Sequence, residues 1–382
     1  MNSLPGLNIM ESPCLSHRSA GRMETDTVEL APDSSPAAHI SSVRIESRAL
    51  YAALIAGVAG ALFGIVIDFL PPLALFGGWS FGSFAAIGAG VVAAVAAIVA
   101  YSRARSQPGG QWQRSVSTPL KIASFTGVIL VHSLFSVLVT LVSFLVLSLG
   151  FRGLVLDQFW SILLMSTAMG LNAWVASLSA SRLTTVRLSN MLMQFVALGT
   201  LASTVTASDP EWWRIHFSHL GTFSDLSSLL FNGTLIVGGL MVTAFAIYVS
   251  NDMKPLVASG TLRNRRSAAE TSAMFVIMGV MLAGVGAVPV DVSVLIHNLC
   301  AAGMAFAYGA LLLAGPWIFR GMPRAYFVAS WLFVAALVLF VVLFTSDYFG
   351  LTAFEILIFA LIFGWISVFI RFLATVSQTI SD

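Results

Sequence analysis

Ten runs of roughly twenty apolar residues, separated by short polar connections, constrain this chain more than any other feature. A hydrocarbon core about 30 Å thick is crossed by about twenty helical residues. The runs cover approximately 49–70, 81–101, 122–149, 159–180, 186–206, 228–250, 268–288, 293–318, 325–345 and 351–373. In lipid the backbone must satisfy its own hydrogen bonds, so each run is expected as a helix. Composition agrees: 58% of residues are hydrophobic and 9% are charged, where a soluble domain carries about 25% charged residues. The expected fold is an all-α, polytopic membrane bundle of ten spans.

Seventeen of the nineteen Lys and Arg residues fall on alternate connections. Arg18, Arg22, Arg44 and Arg48 precede the first run, and Arg103, Arg105, Arg114 and Lys121 follow the second. Arg182 and Arg187 follow the fourth, and Lys254, Arg263, Arg265 and Arg266 follow the sixth. Arg320 and Arg324 follow the eighth, and Arg371 ends the tenth. Only Arg152 and Arg214 lie on the other side. Adding or removing one span would destroy this alternation. The positive-inside rule then puts both termini in the cytoplasm, with the chain in a plasma (inner) membrane.

Residues 1–47 are polar, rich in Pro and Ser, and read as a disordered cytoplasmic tail. Met23 is an alternative start to Met1. The first apolar run is long enough to span and reads as a signal anchor. The expected divisions are a four-helix membrane module over 48–181, a six-helix membrane core over 182–375, and a short cytoplasmic tail over 376–382. The excess of Arg over Lys and the many Ala, Gly and Val residues suggest a GC-rich bacterial source. The two cysteines, Cys14 in the tail and Cys300 in a span, do not make a disulfide pair or a metal-type spacing. A net charge of +2 with scattered basic residues gives no nucleic-acid footprint. Ala56, Gly60 and Gly64 recur every four residues in the first run, a pattern that permits close helix approach.

The outward connections are acidic and carry histidine. They hold Asp157, Asp209, Glu211, Asp225, Asp291 and Asp347, with Glu355 just inside the last run. In the longest, 208–227, Asp209-Pro210 reads as the start of a short helix bearing Trp212, Trp213, Phe217 and Leu220 in the headgroup layer. His216 and His219 would share a face of it. That pair with Asp225 is a possible zinc set, while two solvated histidines on an interfacial helix is the plainer reading. Thr222-x-x-Asp225, Ser267-x-x-Glu270 and Thr352-x-x-Glu355 each fit a capping box before an apolar helix, and Asp291 is placed to cap the eighth span. Glu355 has a second reading, facing other outward polar groups.

Ionisable groups inside spans are functional candidates by their cost alone. His297 lies about one and a half turns inside the eighth span, and His132 lies mid-depth in the third. For His132 a neutral imidazole bonded across helices to Asn172 is the alternative. Asp68 is near enough to the interface to be solvated. No Walker loop or GxGxxG dinucleotide pattern occurs.

Four segments carry a resemblance: HFSHLGT (216–222), LLFNGTLIVGG (229–239), GAVPVD (286–291) and IHNLCAAGMAF (296–306). With the closing helix pair, they resemble the bacterial membrane family called domain of unknown function 998 over roughly 186–375. More distantly they are similar to the six-span DRAM and Frag-type membrane proteins. The resemblance implies a six-helix core with an outward polar pocket, using Ser218 to Gly221 and the Pro289, Asp291 and His297 element. Val288 stands where the family often has Phe. It implies no reaction; the distant relatives suggest roles in lipid organisation or regulation.

The leading expectation is a non-enzymatic membrane protein. Its outward pocket of His216, His219, Asp225, Asp291, His297 and Glu355 would bind a lipid headgroup or a small polar ligand, with membrane lipids as its surroundings. One alternative is a transporter of a small polar or amphipathic solute. The other is a membrane-embedded, zinc-dependent lipid hydrolase using His216, His219 and Asp225.

Overall fold

A computed structural model describes residues 36–106, 118–222 and 224–381. Ten helices follow one another: α1 (Pro36–Asp68), α2 (Phe81–Arg105), α3 (Thr118–Gly150), α4 (Gln158–Ser181), α5 (Thr185–Thr206), α6 (Leu226–Ala258), α7 (Ser267–Ala287), α8 (Val294–Ile318), α9 (Arg324–Thr345) and α10 (Leu351–Ser381). Each is long and apolar enough to cross a membrane. Among the described residues there is no strand, only an isolated bridge between Ala74 and Val155.

The ten apolar runs and the ten helices coincide; the tails do not. Residues 36–47, expected as disordered tail, form the first turns of α1. Helix α10 runs on to Ser381, so residues 376–381 of the expected short cytoplasmic tail are helical. Apolarity marks only the part of a helix that lies in lipid, and helical hydrogen bonding continues past it into water. The remaining tail residues, 1–35, and with them Cys14 and the choice between Met1 and Met23, lie outside the described residues.

Side-chain caps set several starts. Ser80, Asp157, Thr184, Asp225 and Ser293 precede α2, α4, α5, α6 and α8, and each accepts a backbone N–H from the first turn. These oxygens satisfy donors that no helical carbonyl can reach. Two expectations fail here. Ser293, not Asp291, caps α8. At α7 the capping box of Ser267 and Glu270 is replaced by Asn264, which accepts from Arg266 N (2.9 Å) and donates to Glu270 Oε2 (3.0 Å).

Sequential helices run antiparallel. Phe81 packs on Phe144 (5.4 Å between ring centroids), Ser133 Oγ donates to Gly90 O (2.9 Å), and the Tyr101 hydroxyl lies 3.0 Å from Ser124 Oγ, so α2 and α3 pair in opposite directions. Close packing rests on small residues. A Cβ on Gly60 would lie 2.7 Å from Met165 O, and one on Gly64 would lie 2.8 Å from Ile162 Cα. The expected stripe of Ala56, Gly60 and Gly64 is therefore where α1 meets α4. Ser166 Oγ reaches across that seam to Gly57 O (2.8 Å). At the α6–α7 seam, any side chain on Gly239 would collide with Gly279 O and Ala283 N.

Residues Val43–Asp382 form one compact unit. The expected 48–181 and 182–375 modules share a core, in which Ala97, Tyr101, Val128 and Leu138 pack with Phe231, Phe245 and Tyr308. A buried hydroxyl cluster joins them: Tyr101 lies 2.8 Å from Tyr248 and Ser124 lies 3.2 Å from Tyr248. Helix α9 stands at the rim, with only Tyr326 and Ser330 buried.

Substituting Gly239→Leu should lower stability by about 3 kcal/mol or more through overpacking against backbone. Gly309→Leu, where an added Cβ meets nothing within 4 Å, should be near neutral. Thermal unfolding of the detergent-solubilised protein distinguishes the two.

Candidate functional site

Antiparallel helices give the bundle two chemically distinct ends. The C-terminus of α5 and the N-termini of α6, α8 and α10 share one of them, and the 207–225 connection lies there. That connection holds two short 3-10 helices, Trp212–Arg214 and Phe217–Gly221, where one short helix is expected. Apolar anchors sink the second turn. Leu220 is fully buried. The Phe217 ring packs edge-on against Phe231 (5.1 Å) and near Phe359 (6.2 Å). Trp213 and Ile215 stay exposed, as an interfacial segment requires.

Glu355 of α10 holds this turn in place. Its Oε2 accepts the Phe217 N–H at 2.6 Å and the Ser218 N–H at 3.4 Å, and its Oε1 accepts from Ser218 Oγ at 3.3 Å. The carboxylate thus caps a turn 138 residues away, rather than its own helix. Of its two expected readings, the capping box with Thr352 fails, and the carboxylate meets other polar groups of the connection instead. Thr352 Oγ1 is buried without a partner among the described residues.

Three imidazoles gather beside it. His216 and His219 meet edge to face with centroids 5.5 Å apart, because residues three apart eclipse in a 3-10 turn. His297, buried in the second turn of α8, interacts electrostatically with both His216 and Glu355. Hydrogen bonds assign the tautomers. His297 Nδ1 lies 2.9 Å from Val288 O, and a carbonyl only accepts, so Nδ1 carries the proton. Ser218 Oγ donates to Glu355 and therefore accepts from His216 Nδ1 (3.3 Å). Thr222 Oγ1 donates to His219 O (2.8 Å) and accepts from His219 Nδ1 (3.1 Å). Each ring is left with Nε2 as its basic nitrogen. His219 Nε2 is 4.0 Å from Asp209 Oδ2. Burial, with the neighbouring His219 and His297 rings, holds the His216 imidazole below the ordinary histidine range.

Two expected members stand apart. Asp225 accepts Ser228 N at 3.1 Å through Oδ1 and Ser208 N at 3.3 Å through Oδ2, tying the two ends of the connection together. Burial pushes its carboxyl upward, but bonds from Ser208, Ser228 and Ser227 outweigh this and hold it below the usual carboxylate range. Asp225 is the N-cap itself, rather than the third residue of a box begun by Thr222. Asp291 is exposed on the turn before α8 and makes none of the cluster's hydrogen bonds. The zinc set of His216, His219 and Asp225 is therefore not assembled: its carboxylate is committed to backbone donors. Among the described residues no group of three or more His, Cys, Asp or Glu side chains is arranged for a metal ion.

The mid-depth candidates also resolve differently from expectation. His132 Nδ1 donates to Val128 O within its own helix (2.7 Å), and Asn172 donates to Thr140 Oγ1 (3.1 Å) and Ala168 O (2.8 Å) instead of meeting it. Further polar residues matter too. Ser218 links His216 to Glu355, and Thr185 Oγ1 donates to Asp252 Oδ2 at the other end of the bundle. Ser218 was visible only through the family resemblance; Asp252 gave no local signal.

Residues 193–371 match the model of a family described as "Protein of unknown function (DUF998)". The matched segment runs from α5 into α10 and contains all four residues of the cluster, His216, His219, His297 and Glu355. No curated protein and no solved structure matches the chain.

Two outcomes follow. Glu355→Ala should raise hydrogen exchange at the Phe217 and Ser218 amides about tenfold or more, since bonds to a charged acceptor contribute about 1.5–3 kcal/mol; Glu355→Gln, which keeps one acceptor oxygen, should be intermediate. For pH, a histidine held low in the folded state contributes stability present above about pH 6.5 and lost as pH falls through that range. Thermal midpoints between pH 7.5 and 5 should therefore fall more for the parent protein than for His216→Asn.

Proposed function

We propose that this is a non-enzymatic integral membrane protein whose cluster of His216, His219, His297 and Glu355 faces outward and binds a lipid headgroup or a small polar ligand. The observation that carries this reading is the convergence of three imidazoles, each with Nε2 as its basic nitrogen, on one carboxylate-held turn. Neutral rings accept hydrogen bonds from hydroxyl or ammonium groups. Protonated rings attract phosphate, and such a ligand would draw protons onto them. A regulatory or lipid-organising role fits, and the distant resemblance to DRAM and Frag-type proteins points the same way. The alternation of basic residues supports a cytoplasmic side for both termini, in a membrane read as the plasma membrane.

Transport is the weaker reading. A solute pathway needs polar groups open to it near mid-depth, whereas Asn172 is committed to local bonds and His132 is buried, with its Nδ1 on Val128 O.

Titration of the purified protein with inorganic phosphate and with glycerol 3-phosphate, followed by Trp212 and Trp213 fluorescence, tests the reading. A saturable change is expected that strengthens from pH 7.5 to 6. His297→Gln and His216→Asn should abolish it, and Asp291→Asn should leave it intact. No saturation, or equal saturation in the His297 variant, would refute the assignment.

A further inference from the structure

At the opposite end of the bundle a groove of roughly 550 Å³ runs between α1 and α2, floored by α4. Its lining is graded. On α1 it passes from Ile45 and Arg48 to Ala59, on α2 from Ala104 and Arg103 to Val91, and on α4 from Ser181 to Ala173. Because α1 runs antiparallel to α2 and α4, three helices independently place their polar lining residues at one end and their apolar ones at depth. The only charged side chains in the lining are the two arginines. Both are exposed, and among the described residues neither is ion-paired with a carboxylate. From Arg48 to Ala59 the α1 backbone rises about 16 Å, close to the roughly 15 Å depth of one leaflet's hydrocarbon.

The groove exists because α1 leans on α4 through Gly57, Gly60 and Gly64, next to the deep end, which leaves the arginine end open toward α2. A cationic mouth above an apolar slot one leaflet deep matches one class of molecule. We propose that this groove is a binding site for a phospholipid with an anionic headgroup, its phosphate between Arg48 and Arg103 and one acyl chain laid along α1 and α2. The site is separate from the histidine cluster, in residues and in membrane depth, and stands or falls without it.

Native mass spectrometry of the full chain in detergent, with added phosphatidylglycerol or phosphatidylcholine, tests this. The parent protein should retain one phosphatidylglycerol in strong preference to phosphatidylcholine. Arg48→Gln/Arg103→Gln should weaken that preference about 30-fold, the effect of removing two basic groups beside an anionic headgroup. Arg48→Lys/Arg103→Lys, which keeps both charges, should retain most of it. Ala59→Phe, at an exposed lining position, should reduce retention by filling the slot while leaving the arginines in place. His297→Gln should have no effect. Equal retention of both lipids by the parent protein, or phosphatidylglycerol retention unchanged in the glutamine pair or in Ala59→Phe, would overturn the proposal.

Discussion

No water is available in a hydrocarbon core to satisfy a bare peptide group, and every other feature of this molecule follows from that. The backbone closes its hydrogen bonds within ten helices, and the helices then lack a hydrophobic drive to associate, since lipid is as apolar as their side chains. What holds them is close approach. Gly60 and Gly64 let α1 settle on Met165 and Ile162, and Gly239 with Gly279 brings α6 onto α7 at backbone distance. Side-chain hydrogen bonds add direction at the same seams, as with Ser166 on Gly57 O.

The same rule organises polar groups at the loop end. A connection pressed onto the bundle must satisfy its own amides, and the amides of Phe217 and Ser218 find Glu355. That carboxylate is held half-buried by the bonds it accepts, and the turn it holds carries His216 and His219 toward His297. The site is therefore a consequence of capping: an acidic side chain from α10 does for a 3-10 turn what Asp225 does for α6.

The two ends differ in kind. At the loop end, the imidazoles of His216 and His219 sit on a folded connection beside His297. At the arginine end, Arg48 and Arg103 stand as permanent charges over an Ala- and Val-lined slot. A polar ligand suits the first, and an amphipathic one suits the second.

The ten spans, their order and the alternation of basic residues were legible in the sequence, because transfer into lipid depends on local composition and length. So was the small-residue stripe on α1, although not its partner. The histidine pair at 216 and 219 was legible as sharing a face, since that depends only on spacing. What only the tertiary structure decided is which polar groups meet. It joined Glu355 to Phe217, left Asp291 outside, turned Asp225 into a cap and kept His132 from Asn172. Those outcomes depend on which helix faces are buried against one another across more than a hundred residues of chain, and nothing in local periodicity encodes that choice.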